Sequence, residues 1–283
     1  MKTTIGIIGA GTMGGGIAQV AALSGFEVVL YDVSPEALKA CMERIRADLR
    51  RSMQKGTASA SGATEALTRI RPRRSFNDMG AADLVIEAAA EDLGVKKEIF
   101  RALDQIVAPR AVLATNTSSL SITSIGSLTR TPESVVGMHF FNPPVQMKLV
   151  EIVRGSRTSD ETVSLVRETA LAMGKTPVFC SDTPGFIVNR IARPFYGEAL
   201  RILGESSATA EQIDRIVKLS GGFRMGPFEL MDLIGIDVNY AVTQSVYEQT
   251  FQEPRFRPHP IQRRMVEAGT LGRKTGRGFY LYE

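Results

Sequence analysis

The sequence predicts an α/β domain built on a mostly parallel sheet, followed by an all-α domain. Three observations carry this expectation. Over the first half, short β-branched runs alternate with segments whose apolar residues recur at helical spacing. After Thr183-Pro184-Gly185 the strand pattern stops and helical patterns fill the remainder. A length of 283 residues suits about two domains. The boundary therefore falls near Thr183, giving domains 1–183 and 184–283.

The elements follow in order. Thr4–Ile8, Glu27–Tyr31, Asp83–Glu87 and Ala111–Ala114 read as strands apolar on both faces, as in a parallel sheet covered by helices on each side. Between the last two, Val95, Ile99, Leu103 and Ile106 define one face of a helix. Ser34 caps a helix with Pro35 at its first position and Glu36 near its positive end, running to about Gln54. Small polar residues from Gly56 to Gly62 predict a mobile turn before a helix at Thr64–Leu67. Val135–Met138 and Leu149–Val153 read as strands, Ser159–Ala172 as a helix and Thr176–Cys180 as a last short strand. Beyond the boundary, Ile187, Ile191 and Phe195 sit at helical spacing, with a kink expected at Pro194. Thr209-Ala210-Glu211-Gln212 is a capping box before Ile213–Leu219. Helical patterns follow at Pro227–Ile234, Val238–Tyr247 and Pro260–Ala268, and a strand-like tail at Tyr280–Tyr282.

Composition narrows the function classes. At 43% hydrophobic the chain is too apolar for disorder. No apolar run approaches the ~20 residues of a membrane span, and Met1-Lys2 leads into the first strand without room for a signal peptide. Cys41 and Cys180 suit neither a disulfide framework nor a zinc site and read as buried thiols in a reduced cytoplasm; no metal site is expected. The net charge of +4 is mild, and its one cluster, Arg69–Arg74, reads as a solvated edge rather than a nucleic-acid stripe.

Gly9-Ala10-Gly11-Thr12-Met13-Gly14 matches G-x-G-x-x-G between a strand and a helix. Gly9 would permit the tight turn, Gly11 a pyrophosphate approaching the backbone, and Gly14 close helix packing. Free N–H groups at the helix start, with Thr12 and Met13, would face the phosphates. Asp32, 18 residues after Gly14, ends the second strand and would accept from ribose hydroxyls while repelling a 2′-phosphate, so NAD is preferred to NADP. A Rossmann-like domain is the expected frame. Asn116-Thr117-Ser118-Ser119 follows a strand end, where open α/β sheets bind ligands, although the same residues would also suit a cap for a helix at Ile122–Ile125. His139, one of two histidines, reads as following a strand end, where an imidazole suits a general base; a structural histidine at a turn is the other reading. Glu151 on the next strand would fix its tautomer. His259, in a proline-rich helix lead-in, reads as structural.

These motifs, with Leu149-Val150-Glu151, Pro184-Gly185-Phe186-Ile187-Val188-Asn189-Arg190, Met225-Gly226-Pro227 and Gly272–Tyr280, resemble the 3-hydroxyacyl-CoA dehydrogenase family, nearest its stand-alone 3-hydroxybutyryl-CoA dehydrogenase type. The resemblance runs from about Ile5 to Tyr282 in the same order. It implies reversible, NAD-dependent oxidation of a short (S)-3-hydroxyacyl-CoA thioester. His139 corresponds to the base, Glu151 to its partner, and Ser118 and Asn189 to polar residues at the substrate. Gly9, Gly11, Gly14 and Asp32 match the dinucleotide fingerprint. Glu91, Lys96, Asn116, Asn142 and Lys274 match positions associated with NAD, Asn142 also lying toward substrate. Lys55 is the candidate for coenzyme A phosphates, and the helical domain is implied to form a homodimer contact.

Some positions depart from the pattern. The segment after Lys55 is poor in lysine. Pro143–Met147 differs slightly from the short-chain turn, and Gly221-Gly222-Phe223-Arg224 is closer to the branch of aromatic (phenylacetate) degradation. Arg224 would then pair with the distal carboxylate of 3-hydroxyadipyl-CoA, or be a plain surface arginine in a turn. A dehydrogenase of a free hydroxy acid and a non-catalytic NAD-binding protein are the competing readings.

Overall fold

The computed structural model describes residues 3–56 and 59–282. It divides into two compact units, Met1–Thr183 and Pro184–Glu283. The first unit runs β1 (Thr4–Ile8), α1 (Thr12–Leu23), β2 (Glu27–Tyr31), α2 (Pro35–Gln54), α3 (Ala60–Arg69), β3 (Ile70–Arg73), β4 (Leu84–Glu87), α4 (Leu93–Ile106), β5 (Val112–Thr115), α5 (Ile122–Gly126), β6 (Val135–Phe140), β7 (Leu149–Arg154), α6 (Asp160–Ala172) and β8 (Thr176–Ser181). Its sheet has the order β3-β2-β1-β4-β5-β6-β7-β8. Every neighbouring pair is parallel except β6 and β7. The eight residues between β6 and β7 are too few for a crossover, so the pair closes antiparallel. β1 has β2 on one side and β4 on the other, so strand order reverses there and the carboxyl ends of β1, β4, β5 and β6 line one edge.

The core follows from the apolar strands. Ile5, Ile7, Val28, Leu30, Leu84 and Ile86 are buried beneath Ile17 and Ala18 of α1 and Cys41, Ile45 and Leu49 of α2. Ser34 caps α2 as expected, its hydroxyl accepting from the Ala37 N–H.

The structure corrects several expectations. The Arg69–Arg74 cluster contains edge strand β3, in which Ile70 alone is buried. Pro72, which lacks a donor, is tolerated because the strand is at the border. α3 starts at Ala60, four residues early, capped by Ser59, whose hydroxyl accepts from the Gly62 N–H. Residues 57 and 58 of the expected mobile turn, and Met1-Lys2, lie outside the described residues. β6 continues through Phe140, so His139 lies within the strand, not after it. Ser121, not the Asn116–Ser119 run, caps α5; the Asp182 carboxylate also accepts from the Ile122 and Thr123 N–H groups. Cys41 is buried, but Cys180 on edge strand β8 is only half-buried.

The second unit contains α7 (Val188–Gly204), α8 (Ala210–Gly221), α9 (Pro227–Ile234), α10 (Ile236–Gln249) and α11 (Pro260–Glu267). α7 continues through Pro194. The capping box at Thr209 and Gln212 is formed. His259 caps α11, Nδ1 accepting from the Ile261 N–H. Phe228, Met231, Leu200 and Ile236 centre the core. The tail forms isolated bridges instead of a strand. It is held by the buried Asp232 carboxylate, which accepts from the Phe279 and Tyr280 N–H groups at 3.0 Å and from the Tyr282 hydroxyl at 2.9 Å. Among the described residues no helix is long and apolar enough to cross a membrane, and none of them groups as a metal site.

Candidate active site

The glycine loop at the end of β1 shows which glycines the protein itself requires. Gly9 has φ +101°, and a Cβ there would lie 2.4 Å from the Ala88 carbonyl oxygen. A Cβ on Gly14 would lie 1.8 Å from the Gly9 carbonyl oxygen. Gly11 differs: its backbone is extended and a Cβ would meet nothing within 4 Å. The protein leaves open space where a pyrophosphate would approach the backbone. α1 begins at Thr12 with no side-chain cap, which leaves its first N–H groups directed at that space.

Asp32 sits beside this loop, and its carboxylate does more than expected. Oδ2 accepts from the Ala10 N–H at 2.6 Å and Oδ1 from the Ser34 N–H at 2.9 Å. A carboxylate has about four acceptor positions, so ribose hydroxyls can be accommodated as well. Arg44 from α2, which the sequence did not single out, donates to the Ala10 carbonyl at 2.8 Å and fixes the loop from the other side.

At the ends of β4 and β5, charged and hydroxyl groups form one network. Glu87, fully buried and missed in the sequence, accepts from Lys96 at 2.7 and 2.9 Å and from the Thr115 hydroxyl at 2.7 Å. Lys96 is 1% exposed and also pairs with Glu91 at 3.3 Å. Lys96 is thus an internal counter-charge, with little surface left for the expected direct contact with NAD. Glu91 accepts from the Thr117 hydroxyl at 2.5 Å and the Ser118 N–H at 2.9 Å. Burial works against its charge, but Lys96 and these hydrogen bonds outweigh it and hold the carboxyl below its ordinary range. Glu91 therefore sets the orientation of Ser118.

His139 and Glu151 are partners in the antiparallel register of β6 and β7. His139 Nδ1 lies 2.7 Å from Glu151 Oε2, with the histidine 6% exposed and the glutamate fully buried. The carboxylate can only accept, so Nδ1 carries the proton and Nε2 is the basic nitrogen. The two strands impose this pairing. Asn116 ties β5 to β6 beside it, its Oδ1 accepting from the Phe140 N–H at 2.8 Å. Asn142 follows β6, exposed, and its peptide bond to Pro143 is cis.

Of the remaining expected residues, Lys55 is exposed at the end of α2. In the helical unit, Asn189 is half-buried in the first turn of α7, Lys274 pairs with Asp237 at 2.6 Å and Arg224 is exposed. The sequence also missed Arg193, a 4%-exposed guanidinium one turn after Asn189.

Residues 4–183 match the NAD-binding domain of the 3-hydroxyacyl-CoA dehydrogenase family, and residues 185–282 match its C-terminal domain. The chain is 50% identical to the 3-hydroxyadipyl-CoA dehydrogenase of Escherichia coli over 98% of its own length, but spans only 58% of that protein. It is 44% identical to the 3-hydroxybutyryl-CoA dehydrogenase of Bradyrhizobium diazoefficiens, covering 98% of this chain and 94% of that one. The crystal structure of (S)-3-hydroxybutyryl-CoA dehydrogenase from Ralstonia eutropha superposes with a TM-score of 0.96 at 42% identity, over the whole of both chains.

Proposed function

The chain belongs to the 3-hydroxyacyl-CoA dehydrogenase family, and from that premise we propose that it interconverts short (S)-3-hydroxyacyl-CoA and 3-oxoacyl-CoA thioesters, such as 3-hydroxybutyryl-CoA and acetoacetyl-CoA. The observation that carries the reading is the 2.7 Å hydrogen bond between His139 and buried Glu151. The open space over Gly11 and the uncapped start of α1 fit NAD, which accepts or returns a hydride at the substrate's C3 when bound.

The chain's own residues supply the rest. Nε2 of His139 removes the proton from the 3-hydroxyl as the carbon is oxidised, and imidazolium returns it in reverse. Glu151 holds the ring in one tautomer and offsets the charge of the imidazolium. Ser118, braced by Glu91, and Asn189 hydrogen-bond the substrate oxygens and hold C3 in place. Gly9, Gly11, Thr12, Met13, Gly14 and Asp32 take the dinucleotide, with Glu91, Asn116, Asn142 and Lys274 at its periphery and Lys96 behind Glu91. Lys55 meets the coenzyme A phosphates. We further infer a cytoplasmic homodimer formed through the helical unit, where Ile216, Leu219 and Phe223 expose apolar surface.

A second reading takes 3-hydroxyadipyl-CoA as substrate, favoured by the name of the 50%-identical relative. Arg224 would bind the distal carboxylate. Initial rates of NADH oxidation with acetoacetyl-CoA and 3-oxoadipyl-CoA separate the two. The short-chain reading expects acetoacetyl-CoA to be turned over at least as efficiently, and Arg224→Ala to leave kcat/KM unchanged for both. A selective loss with 3-oxoadipyl-CoA would favour the second. No thioester turnover by a protein that binds NADH would contradict both.

A further inference from the structure

Glu87 is a buried carboxylate whose acceptor positions are all in use. It ends β4 and is fully buried. Oε1 takes the Lys96 ammonium and the Ala89 N–H, each at 2.7 Å. Oε2 takes Lys96 at 2.9 Å and the Thr115 hydroxyl at 2.7 Å. Four bonds fill a carboxylate, so whatever Glu87 does for function it does through another residue. The Lys96 ammonium leads outward from it. Lys96 also lies 3.3 Å from Oε2 of Glu91, whose side chain is 41% exposed. The other Glu91 oxygen, Oε1, takes the Thr117 hydroxyl and the Ser118 N–H. Lys96 is thus shared unequally: Glu87 has the short bonds and Glu91 the long one. A buried ion pair adds little stability over neutral groups of similar shape, so stability alone does not call for Glu87 and Lys96.

We propose that Glu87 is a positioning residue that anchors the Lys96 ammonium beneath Glu91, so that Glu91 Oε2 stays ionised, fixed in direction and able to accept from a hydroxyl of the bound dinucleotide. The proposal rests on the reading of Glu91 as a cofactor contact. One ammonium between two carboxylates is drawn to the stronger partner. With Glu87 ionised, Lys96 stays at the floor of the network and offsets the charge of Glu91 without covering Oε2. With Glu87 neutral, Glu91 is the carboxylate left to this ammonium, and Lys96 closes on Oε2, the atom the cofactor needs.

NADH titration by fluorescence on the full chain tests this, with a thermal melt of each variant as the check on folding. Glu87→Gln keeps the shape of the side chain and an oxygen for the Ala89 N–H. Combined with Lys96→Met, it leaves neither buried charge without its partner. This paired variant is expected to melt within a few degrees of wild type and to bind NADH about tenfold or more weakly, the scale of one hydrogen bond to a charged group. Glu91→Gln is expected to weaken NADH binding to a similar extent. In the Glu91→Gln background, the paired change should then alter NADH affinity less than about twofold. Glu87→Gln alone runs the same cycle if the paired variant does not fold, and should show the same coupling. Wild-type NADH affinity in the folded paired variant would overturn the proposal, since the pair would then serve the fold alone. Equal weakening in both backgrounds would overturn it too, because Glu87 would not act through Glu91. Wild-type affinity in Glu91→Gln would overturn the cofactor role of Glu91, and the proposal with it. The readout is cofactor binding, so it is independent of whether acetoacetyl-CoA is turned over.

Discussion

Cys180 lies on β8, across the ladder from Val153, near the carboxylate of Glu151. Burial, reinforced by the negative charges of Glu151 and Asp182, pushes its thiol up to about 12. Thiolate is the form that reacts. In the folded protein at pH 8, Cys180 should alkylate at least ~100-fold more slowly than in denaturant, despite being half-exposed. Mass-spectrometric labelling rates with iodoacetamide check this, and equal rates in the two states would contradict it. Only some of these residues are legible in the sequence. His139, Glu151, Asp32 and Ser118 could be singled out because each residue type carries chemistry at a strand end or beside a motif. Glu87, Arg44 and Arg193 could not. Glu87 looks like an ordinary strand terminus until folding brings Lys96 against it. Arg193 is one of 34 basic residues, and its burial is a tertiary fact.

The glycine loop between β1 and α1 shows that one motif can hold residues with different duties. Gly9 and Gly14 are demanded by the fold, because a side chain at either meets backbone at 2.4 and 1.8 Å. Gly11 is demanded only by what occupies the space above it. Gly11→Ala should therefore melt within a degree or two of wild type while binding NADH about tenfold or more weakly, whereas Gly14→Ala should lose several degrees. Thermal melts and NADH titration measure both; undiminished NADH affinity in Gly11→Ala would contradict this division. At this scale the long periodic elements were readable: the ends of α2, with its Ser34 cap and Pro35, match the expected range. β3 was not, because Ile70-Arg71-Pro72-Arg73 is mostly solvent-facing and gains strand geometry only from pairing with β2. β6 was read too short because the residue after Met138, His139, is polar and makes its contact on the opposite strand, although the strand runs on to Phe140.

For the whole molecule, the change from alternating strands to helices after Thr183 was legible because sheet and helix periodicities differ. Which apolar side chains the helical unit leaves exposed was not. Ile216 and Leu219 on α8 are 62% and 74% exposed, and Phe223 beyond them is 54% exposed. A patch of this kind suits a partner surface. Sedimentation equilibrium should give about twice the 30.8 kDa chain mass. Leu219→Asp should shift the protein toward monomer, and a wild-type monomer at all concentrations would contradict a homodimer through this unit.

The proposed oxidation depends on the pairing of His139 with Glu151. Its most direct test is the initial rate of NADH oxidation by acetoacetyl-CoA for the wild type and His139→Ala, with NADH affinity measured alongside. Rapid oxidation that requires the thioester is expected, with a kcat lower by about 10²- to 10⁴-fold in the variant at unchanged NADH affinity. A His139→Ala protein that still turns over at the wild-type rate would contradict it.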